Sequence, residues 1–254
     1  SDLRRQRQMC IRDRLCVEGS EIVSNEACAA AKGSSFSIKN LFYNVPARRN
    51  FLKSNPVETK HIIEEFQRVA LIHPDIKFTM HHNDQEVFNL NKGTYRQRIV
   101  AMFGDRYNQR LVPVSESTDL VTIEGFVGKP EFAKKTRGEQ YFFVNDRFIK
   151  SSYLHHAVQN AFDQLISSEQ FPSYFLRLTL NPANIDINIH PTKTEIKFDD
   201  ERAIYAIMRT AVKQALGKFN IAPTLDFEQE TSFNVPLLKK TDTVKPPSIK
   251  AVSY

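Results

Sequence analysis

The chain has few glycines, few cysteines and no long apolar run. Each of these features argues against a particular class of protein. Only eight glycines occur among 254 residues. None of them stands in a G-x-x-x-x-G-K-[ST] or G-x-G-x-x-G pattern, so the sequence has no self-contained phosphate-binding loop. No apolar run approaches the roughly 18 residues that a membrane-spanning helix needs. We therefore expect no membrane partner.

The three cysteines do not indicate a metal site. Cys10, Cys16 and Cys28 are odd in number and lack the spacing of a metal site. No signal peptide with an apolar core is recognisable. These features favour a cytoplasmic protein with reduced thiols and no metal.

Composition indicates a globular chain, with 41% hydrophobic and 25% charged residues, long enough for two domains. The formal net charge is +6. Half of that charge comes from residues 1–14, which hold five arginines against two aspartates and show no periodicity. We interpret residues 1–14 as a non-native or disordered extension, so the net charge alone is weak support for an acidic partner.

The first half of the chain mixes strand and helix patterns. Residues 33–54 alternate like a strand that runs into a Pro-bounded turn. A helical pattern then continues to His73, where Pro74 ends it, and a hairpin follows. The composition turns polar at 91–98, which predicts a domain boundary.

The second half predicts a sheet with helices on one face. Its expected elements are a short helix after the boundary, strands near 111–114 and 120–127, a basic loop at 128–140, a strand over 141–149, a helix capped by Ser151 or Ser152, a strand at 174–180, a strand at 188–198, and a helix over 200–216 that Gly217 ends. Residues 218–254 have the composition of a largely disordered linker. The fold class is α+β.

The sequence G-F-V-G at 125–128 could be the G-x-x-G loop of a nucleic-acid-binding KH module. It stands at the end of a strand pattern, where a turn is the simpler interpretation. We predict a turn.

Lys193 follows His190-Pro191 in the stretch I-D-I-N-I-H-P-T-K-T-E-I-K-F. Pro191 fixes its own φ and pushes His190 toward an extended conformation, so the turn that delivers Lys193 is stiff. A compact ammonium on a preset turn suits a phosphate oxygen. An exposed lysine without function is the alternative.

A second basic region covers the predicted loop at 128–140 and the strand after it. Its members are Lys129, Lys134, Lys135, Arg137, Arg147 and Lys150, against Glu131, Glu139 and Asp146. This local excess predicts non-specific, salt-sensitive binding to a nucleic-acid backbone. A solvated face is the alternative, and the aromatic residues there are interpreted as strand packing.

Three long stretches together resemble the MutL family of DNA mismatch repair proteins. They are G-S-S-F-S-I-K-N-L-F-Y-N-V-P-A-R-R-N-F-L-K, F-F-V-N-D-R-F-I-K-S-S-Y-L-H-H-A-V and I-D-I-N-I-H-P-T-K-T-E-I-K-F. The resemblance implies that residues 15–93 are the C-terminal part of a GHKL-type ATPase domain. It implies that residues 97–217 are an α/β transducer domain similar to domain 2 of ribosomal protein S5.

The resemblance also implies roles for individual residues. Lys193 matches the lysine of the H-P-x-K motif, which contacts the γ-phosphate of ATP, and so is the expected catalytic residue. Gly33 and Ser34 match a Gly-Thr pair near the adenine end of the site. The residues expected to bind DNA are Lys134, Lys135, Arg137, Arg147 and Lys150. Ser152 stands where several relatives have a further arginine.

The Mg-binding asparagine, the D-x-G-x-G segment and the glycine-rich lid of the family do not occur here, so the chain is expected to be an internal fragment. The full-length parent is expected to bind ATP with Mg²⁺ and to hydrolyse it. The fragment itself is expected to be inactive and to bind no cofactor tightly. Expected partners are double- or single-stranded DNA, a mismatch-recognition protein of the MutS type and, in the parent, a second copy.

Two other functions remain open at this point. One is a non-catalytic nucleic-acid-binding module with an S5-like fold, whose binding would ignore nucleotide. The other is a client-binding ATPase of the same superfamily, which the stretch F-Y-N-V-P-A-R-R-N-F-L-K fits less well.

Overall fold

The computed structural model describes residues 13–187 and 193–221. The chain divides into two compact units, Ser1–Thr94 (unit 1) and Tyr95–Tyr254 (unit 2). Residues 1–12, 188–192 and 222–254, which include His190, Pro191 and most of the predicted linker, lie outside the described residues. No helix among the described residues is long and apolar enough to cross a membrane.

The described part of unit 1, residues 13–94, contains two antiparallel hairpins and one long helix. In chain order its elements are β1 (Asp13–Glu18), β2 (Glu21–Ala27), α1 (Pro46–Arg49), α2 (Asn55–Ile72), β3 (Phe78–His82) and β4 (Gln85–Leu90). Helix α2 begins after Ser54 with a proline in its first turn, a position where the missing N–H costs no hydrogen bond.

The helix packs on the second hairpin through aromatic rings. Phe66 lies 5.3 Å from Phe88, with the rings stacked, and 6.1 Å from Phe78, edge to face. The strand predicted at the start of 33–54 is not formed, and Phe36 and Ile38 are 88% and 81% exposed. An extended segment becomes a strand only where a neighbour pairs with it, and no described strand lies beside this one.

Unit 2 is built on a five-stranded sheet. Its elements are α3 (Tyr95–Phe103), β5 (Leu111–Ser117), β6 (Thr122–Gly128), β7 (Gln140–Val144), β8 (Arg147–Ile149), α4 (Ser152–Ala161), β9 (Tyr174–Thr179), β10 (Ile185–Asp186), β11 (Lys197–Phe198) and α5 (Glu201–Ile221). The strand order is β5-β6-β9-β7-β8, and among the strands that the structure describes in this sheet only β7 and β9 pair in parallel. Helix α4 provides the crossover that a parallel pair requires.

The two faces of this sheet are covered differently. Alternate strand residues such as Phe142 and Leu176 join one buried cluster with the apolar sides of α4 and α5. On the other face, Phe103 of α3 lies 5.3 Å from Phe175 and 6.0 Å from Tyr141. The prediction of helices on a single face was therefore wrong for α3, whose short apolar pattern gave no sign of its side.

Three predicted boundaries differ from the structure. Helix α5 continues through Gly217 to Ile221, because burial of its apolar side outweighs the low helix propensity of one glycine. The predicted strand over 141–149 is a hairpin, β7 and β8. Gly125 and Gly128 lie inside β6, so the turn predicted there was wrong.

Candidate phosphate and nucleic-acid site

Lys193 stands on the segment that leads into β11. Its φ is 50°, in the left-handed region that side chains other than glycine seldom adopt. Such a conformation costs roughly 1–2 kcal/mol and persists only where surrounding contacts maintain it. The side chain of Lys193 is exposed. The folded protein thus maintains an unfavourable backbone conformation at Lys193, and this conformation sets the direction of the lysine side chain.

Two backbone contacts fix the chain after Lys193. The N–H of Lys150 donates to the carbonyl oxygen of Thr194 at 2.7 Å. Strands β10 and β11 pair antiparallel, with Ile185 opposite Phe198, which is buried. Of the strand predicted over 188–198, residues 188–192 lie outside the described residues, and Lys197–Phe198 form β11.

The hairpin of β7 and β8 turns through Asn145 and Asp146, which have φ of 47° and 63°. Two positive φ values are typical of a type I′ turn. The amide nitrogen of Asn145 donates to the carbonyl oxygen of Leu180 at 2.9 Å, and its oxygen accepts from the N–H of Leu180 at 3.1 Å. These two bonds fasten the hairpin to the chain that leaves β9.

The hairpin positions two of the predicted DNA contacts. Arg147 begins the edge strand β8, Lys150 follows it, and both side chains are exposed. Ser152, the first residue of α4, is exposed as well. Because Lys150 bonds to Thr194, Lys150 and Lys193 lie on adjoining segments at one edge of unit 2.

The basic loop at 128–140 is braced by its backbone. Lys134 and Phe171 exchange hydrogen bonds of 3.0 and 2.7 Å. The N–H of Tyr174 donates to the carbonyl oxygen of Glu139 at 2.9 Å. A loop ordered before binding loses less conformational entropy when a ligand arrives.

The ammonium of Lys134 already has a partner within unit 2. Its nitrogen lies 2.8 Å from each carboxylate oxygen of Glu139 and 3.4 Å from the hydroxyl of Tyr107. Burial alone would lower the pKa of Lys134, but the hydrogen bond and charge of Glu139 outweigh it and raise that pKa. Burial alone would raise the pKa of Glu139, but the hydrogen bond and charge of Lys134, a backbone hydrogen bond and the hydrogen bond with Tyr107 together lower it.

Lys135 and Arg137 are the exposed cations of the same loop. The guanidinium of Arg137 lies 5.2 Å from the centre of the Phe171 ring, a stacked contact that leaves its N–H groups free to donate. Of the three loop cations predicted to bind DNA, Lys134 is therefore paired within the fold, whereas Lys135 and Arg137 face solvent. The DNA contacts predicted for all three stay predictions.

This separation gives a testable contrast between Lys134→Gln and Lys135→Gln. We expect Lys134→Gln to lower the free energy of unfolding by about 0.5–1 kcal/mol, because it breaks a partly exposed ion pair, and to leave the salt dependence of DNA binding unchanged. We expect Lys135→Gln to leave stability unchanged and to reduce the slope of log K against log salt by about one. Urea unfolding and fluorescence anisotropy with duplex DNA measure the two effects. Equal loss of slope in both variants would show that Lys134 contacts phosphate.

Gly33 and Ser34, predicted at the adenine end of a nucleotide site, belong to unit 1, whereas Lys193 belongs to unit 2. Both are exposed, and Gly33 has a φ of 139° that favours glycine. The described residues hold no group of three or more acidic, histidine or cysteine side chains that could bind a metal ion. Lys193 stays the candidate phosphate contact among the described residues.

Two residues that shape this site were not among the candidates predicted from the sequence. Asn145 fixes the hairpin, and Thr194 fixes the segment after Lys193. The Asn-Asp pair between two apolar runs is a hairpin signal and could have identified the first. Nothing in the sequence around Thr194 indicates its partner, because Lys150 lies far away along the chain.

Unit 2 has a recognisable family. The family model described as DNA mismatch repair protein, C-terminal domain, matches residues 99–217, from within α3 to within α5. Unit 2 is thus a domain of the DNA mismatch repair class.

Relatives that align with most of this chain identify the family more narrowly. The chain is 58% identical to the DNA mismatch repair protein MutL of Christiangramia forsetii over 93% of its length, and 56% identical to that of Flavobacterium psychrophilum over 94%. The chain belongs to the MutL family, as its motifs predicted. It spans 38% and 39% of the lengths of these two relatives.

Solved structures support the fold. One, described as the N-terminal domain of a DNA repair protein, has a TM-score of 0.69 at 23% identity over 84% of this chain and 70% of that one. The MutL ATPase domain of Aquifex aeolicus complexed with ADP has a TM-score of 0.50 at 23% identity, over 66% and 61%. These structural similarities confirm the α+β fold class predicted for this chain, which is that of the MutL ATPase domains. The similarity of unit 2 to ribosomal protein S5 domain 2 stays a prediction.

Proposed function

We propose that this chain is the part of a cytoplasmic MutL-type mismatch repair protein that links the nucleotide site to DNA. Its full-length parent binds and hydrolyses ATP and connects mismatch recognition to strand incision. Lys193 supplies the contact to the terminal phosphate, and the edge of unit 2 carries the DNA contacts. A MutS-type protein and a second copy of the parent are the expected partners.

One observation carries the role of Lys193. An exposed lysine gains nothing for folding from a left-handed backbone, yet Lys193 has a φ of 50° beside the Lys150–Thr194 hydrogen bond. A positioned ammonium stabilises negative charge that grows on a phosphate in the transition state, and it needs no reorganisation at that moment. Gly33 and Ser34 would contribute the adenine side, while ATP would bring the phosphates and Mg²⁺ the counter-charge.

The DNA contacts follow from exposure and charge. Lys135, Arg137, Arg147 and Lys150 are exposed cations on braced backbone. Cations of this kind bind the phosphate backbone through counterion release, which gives affinity without sequence preference. Because Lys150 bonds to the residue after Lys193, a change at the phosphate contact can shift the backbone beside a DNA contact.

Lys193→Ala tests this proposal in a form of the protein that spans the full length of its relatives. We expect kcat for ATP hydrolysis to fall by about 10–100-fold with little change in stability, because one preorganised charge contact is lost. Lys197→Ala, an exposed lysine on β11, is the matched control and should retain activity. Steady-state phosphate release measures kcat, and thermal unfolding measures stability. Equal turnover in the Lys193 variant and the parent would rule out the phosphate role.

A second candidate is a nucleic-acid-binding module without catalytic duty. The exposed cations on the edge strand and the braced loop favour it independently of Lys193. It predicts DNA binding by this chain that weakens steeply with salt and does not respond to ATP or to Lys193→Ala. A dependence of DNA affinity on nucleotide in the full-length form would favour the first function.

A further inference from the structure

Arg177 is a charged residue on β9, the central strand of the sheet in unit 2. It stands two residues after Phe175, which contacts α3, so its side chain leaves the sheet on the face that α3 covers. The carbon of its guanidinium lies 5.6 Å from the centre of the Tyr95 ring, within the range of a cation–π contact.

The Tyr95 ring is itself held in place. Tyr95 begins α3, and its ring lies 6.1 Å from that of Phe126 on β6. The hydroxyl of Tyr95 is buried. Burial raises the pKa of Tyr95, and the nearby charge of Arg177 opposes that shift. Arg177 therefore rests on a ring that both a helix and a strand position.

The same guanidinium pairs with the acid of the β7 and β8 turn. Its Nη2 donates to Oδ1 of Asp146 at 3.1 Å, with the two side chains 33% and 62% exposed. Glu124 stands opposite Arg177 on β6, yet within the described residues the two form no ion pair. Arg177 is thus committed to the turn and not to its neighbour in the sheet.

Asp146 is an acid among the cations that are expected to contact DNA. It directly precedes Arg147 and lies four residues before Lys150, and both cations are exposed. In residues 13–187 and 193–221 neither of them takes part in an ion pair. Consecutive Cα atoms are about 3.8 Å apart, well inside the Debye length of about 8 Å at physiological salt. A carboxylate without its own counter-charge would therefore attract Arg147 and repel a phosphate.

We propose that Arg177 is a positioning residue for DNA binding, which neutralises Asp146 and so keeps Arg147 and Lys150 available to phosphates. The inference rests on the DNA contacts proposed above. Because the Tyr95 ring holds the guanidinium on the α3 face, Arg177 supplies this counter-charge without contacting DNA. When Arg177 is removed, Asp146 pairs with a cation of the hairpin, and the protein releases about one counterion fewer on binding.

The test is duplex DNA binding by this chain over a salt series, measured by fluorescence anisotropy. We expect Arg177→Gln to reduce the slope of log K against log salt by about one and to weaken binding roughly fivefold at about 0.15 M salt. Asp146→Asn should bind like the unmodified chain, because it removes only a charge that is already neutralised. Asparagine also tolerates the φ of 63° at this position. The double variant should regain the affinity that Arg177→Gln loses.

Glu124→Gln, combined with Arg177→Gln, is the matched control. It has the same net charge as the double variant but retains Asp146, so it should not restore binding. Equal rescue by both combinations would show an effect of net charge alone and overturn the proposal.

Two other patterns would also contradict it. If Arg177 contacts DNA, Arg177→Gln weakens binding by the same factor with or without Asp146→Asn. If the ion pair only holds the hairpin together, both single variants and the double variant weaken binding equally. Failure of rescue in a chain that binds DNA removes the role of Arg177 alone, whereas an unmodified chain that does not bind DNA removes the proposed DNA contacts as well.

Discussion

Gly125→Ala is expected to destabilise unit 2 by roughly 3–5 kcal/mol, the upper part of the range seen for single substitutions. Gly125 has a φ of 138° inside β6, a region that residues with a Cβ rarely occupy. A Cβ built there would lie 2.1 Å from the carbonyl oxygen of Phe175 on β9, and 3.1 Å from its carbon. Both obstacles are backbone, so β6 and β9 must separate and lose hydrogen bonds at the centre of the sheet.

Gly217→Ala provides the matched control. Nothing lies within 4 Å of a Cβ at Gly217, which stands in α5. We expect it to raise the stability of unit 2 by about 0.5–1 kcal/mol, as alanine replaces glycine in a helix. Hydrogen exchange of peptides from β6 and β9, with urea unfolding, distinguishes the two. Similar effects of both variants would mean that the approach of β6 to Phe175 is not tight.

The helices could be predicted because their signals are local. The apolar positions of α2 recur at helical spacing up to Ile72, one residue before the predicted end. Ser151, one of two predicted caps, accepts a hydrogen bond from the N–H of Leu154 at 3.1 Å and begins α4. Such signals depend on residues within one or two turns, so a single sequence contains them.

The strand order of the sheet could not be predicted to the same extent, because strands that are neighbours in the sheet are distant in sequence. Nothing local places β9 between β6 and β7 or makes its pairing with β7 parallel. The chain at 33–39 has the alternation of a strand but pairs with no described strand. Alternation shows that a segment can join a sheet, whereas the pairing itself depends on where other segments lie.

The candidate site shows the same division. Lys193 could be chosen as a candidate because it follows His190-Pro191 in the sequence, without knowledge of any contact. The role of Lys134 could not, because its charge resembles that of Lys135 in sequence and only the structure places Glu139 against it. Charge counts identify a basic region, and geometry decides which of its cations are already neutralised.

The two proposed functions of unit 2 share one framework. The β7 and β8 hairpin carries Arg147 and Lys150, and the N–H of Lys150 bonds to Thr194, the residue after Lys193. The hairpin is in turn fastened by Asn145 to Leu180. A change in the hairpin should therefore reach the phosphate contact and the DNA contacts together, although none of these three basic side chains is altered.

Asn145→Ala is expected to lower the free energy of unfolding by about 2–4 kcal/mol. Leu180 is 8% exposed, so its N–H and carbonyl lose partners that water replaces poorly, at about 1–3 kcal/mol for the pair. Alanine at φ 47° adds roughly 1 kcal/mol. Asn145→Gly removes the same two hydrogen bonds without the backbone strain. Urea unfolding should therefore show the glycine variant to be more stable than the alanine variant by roughly that 1 kcal/mol.

Asn145→Asp separates the two hydrogen bonds, because its carboxylate still accepts from the N–H of Leu180 but cannot donate to the carbonyl. We expect stability between those of the glycine variant and the parent. If the hairpin positions the basic edge, the alanine variant should also weaken DNA binding without reducing its salt slope, since every cation is still present. A variant as unstable as expected but with unchanged DNA affinity would show that Arg147 and Lys150 reach DNA without a fixed hairpin, or do not contact it.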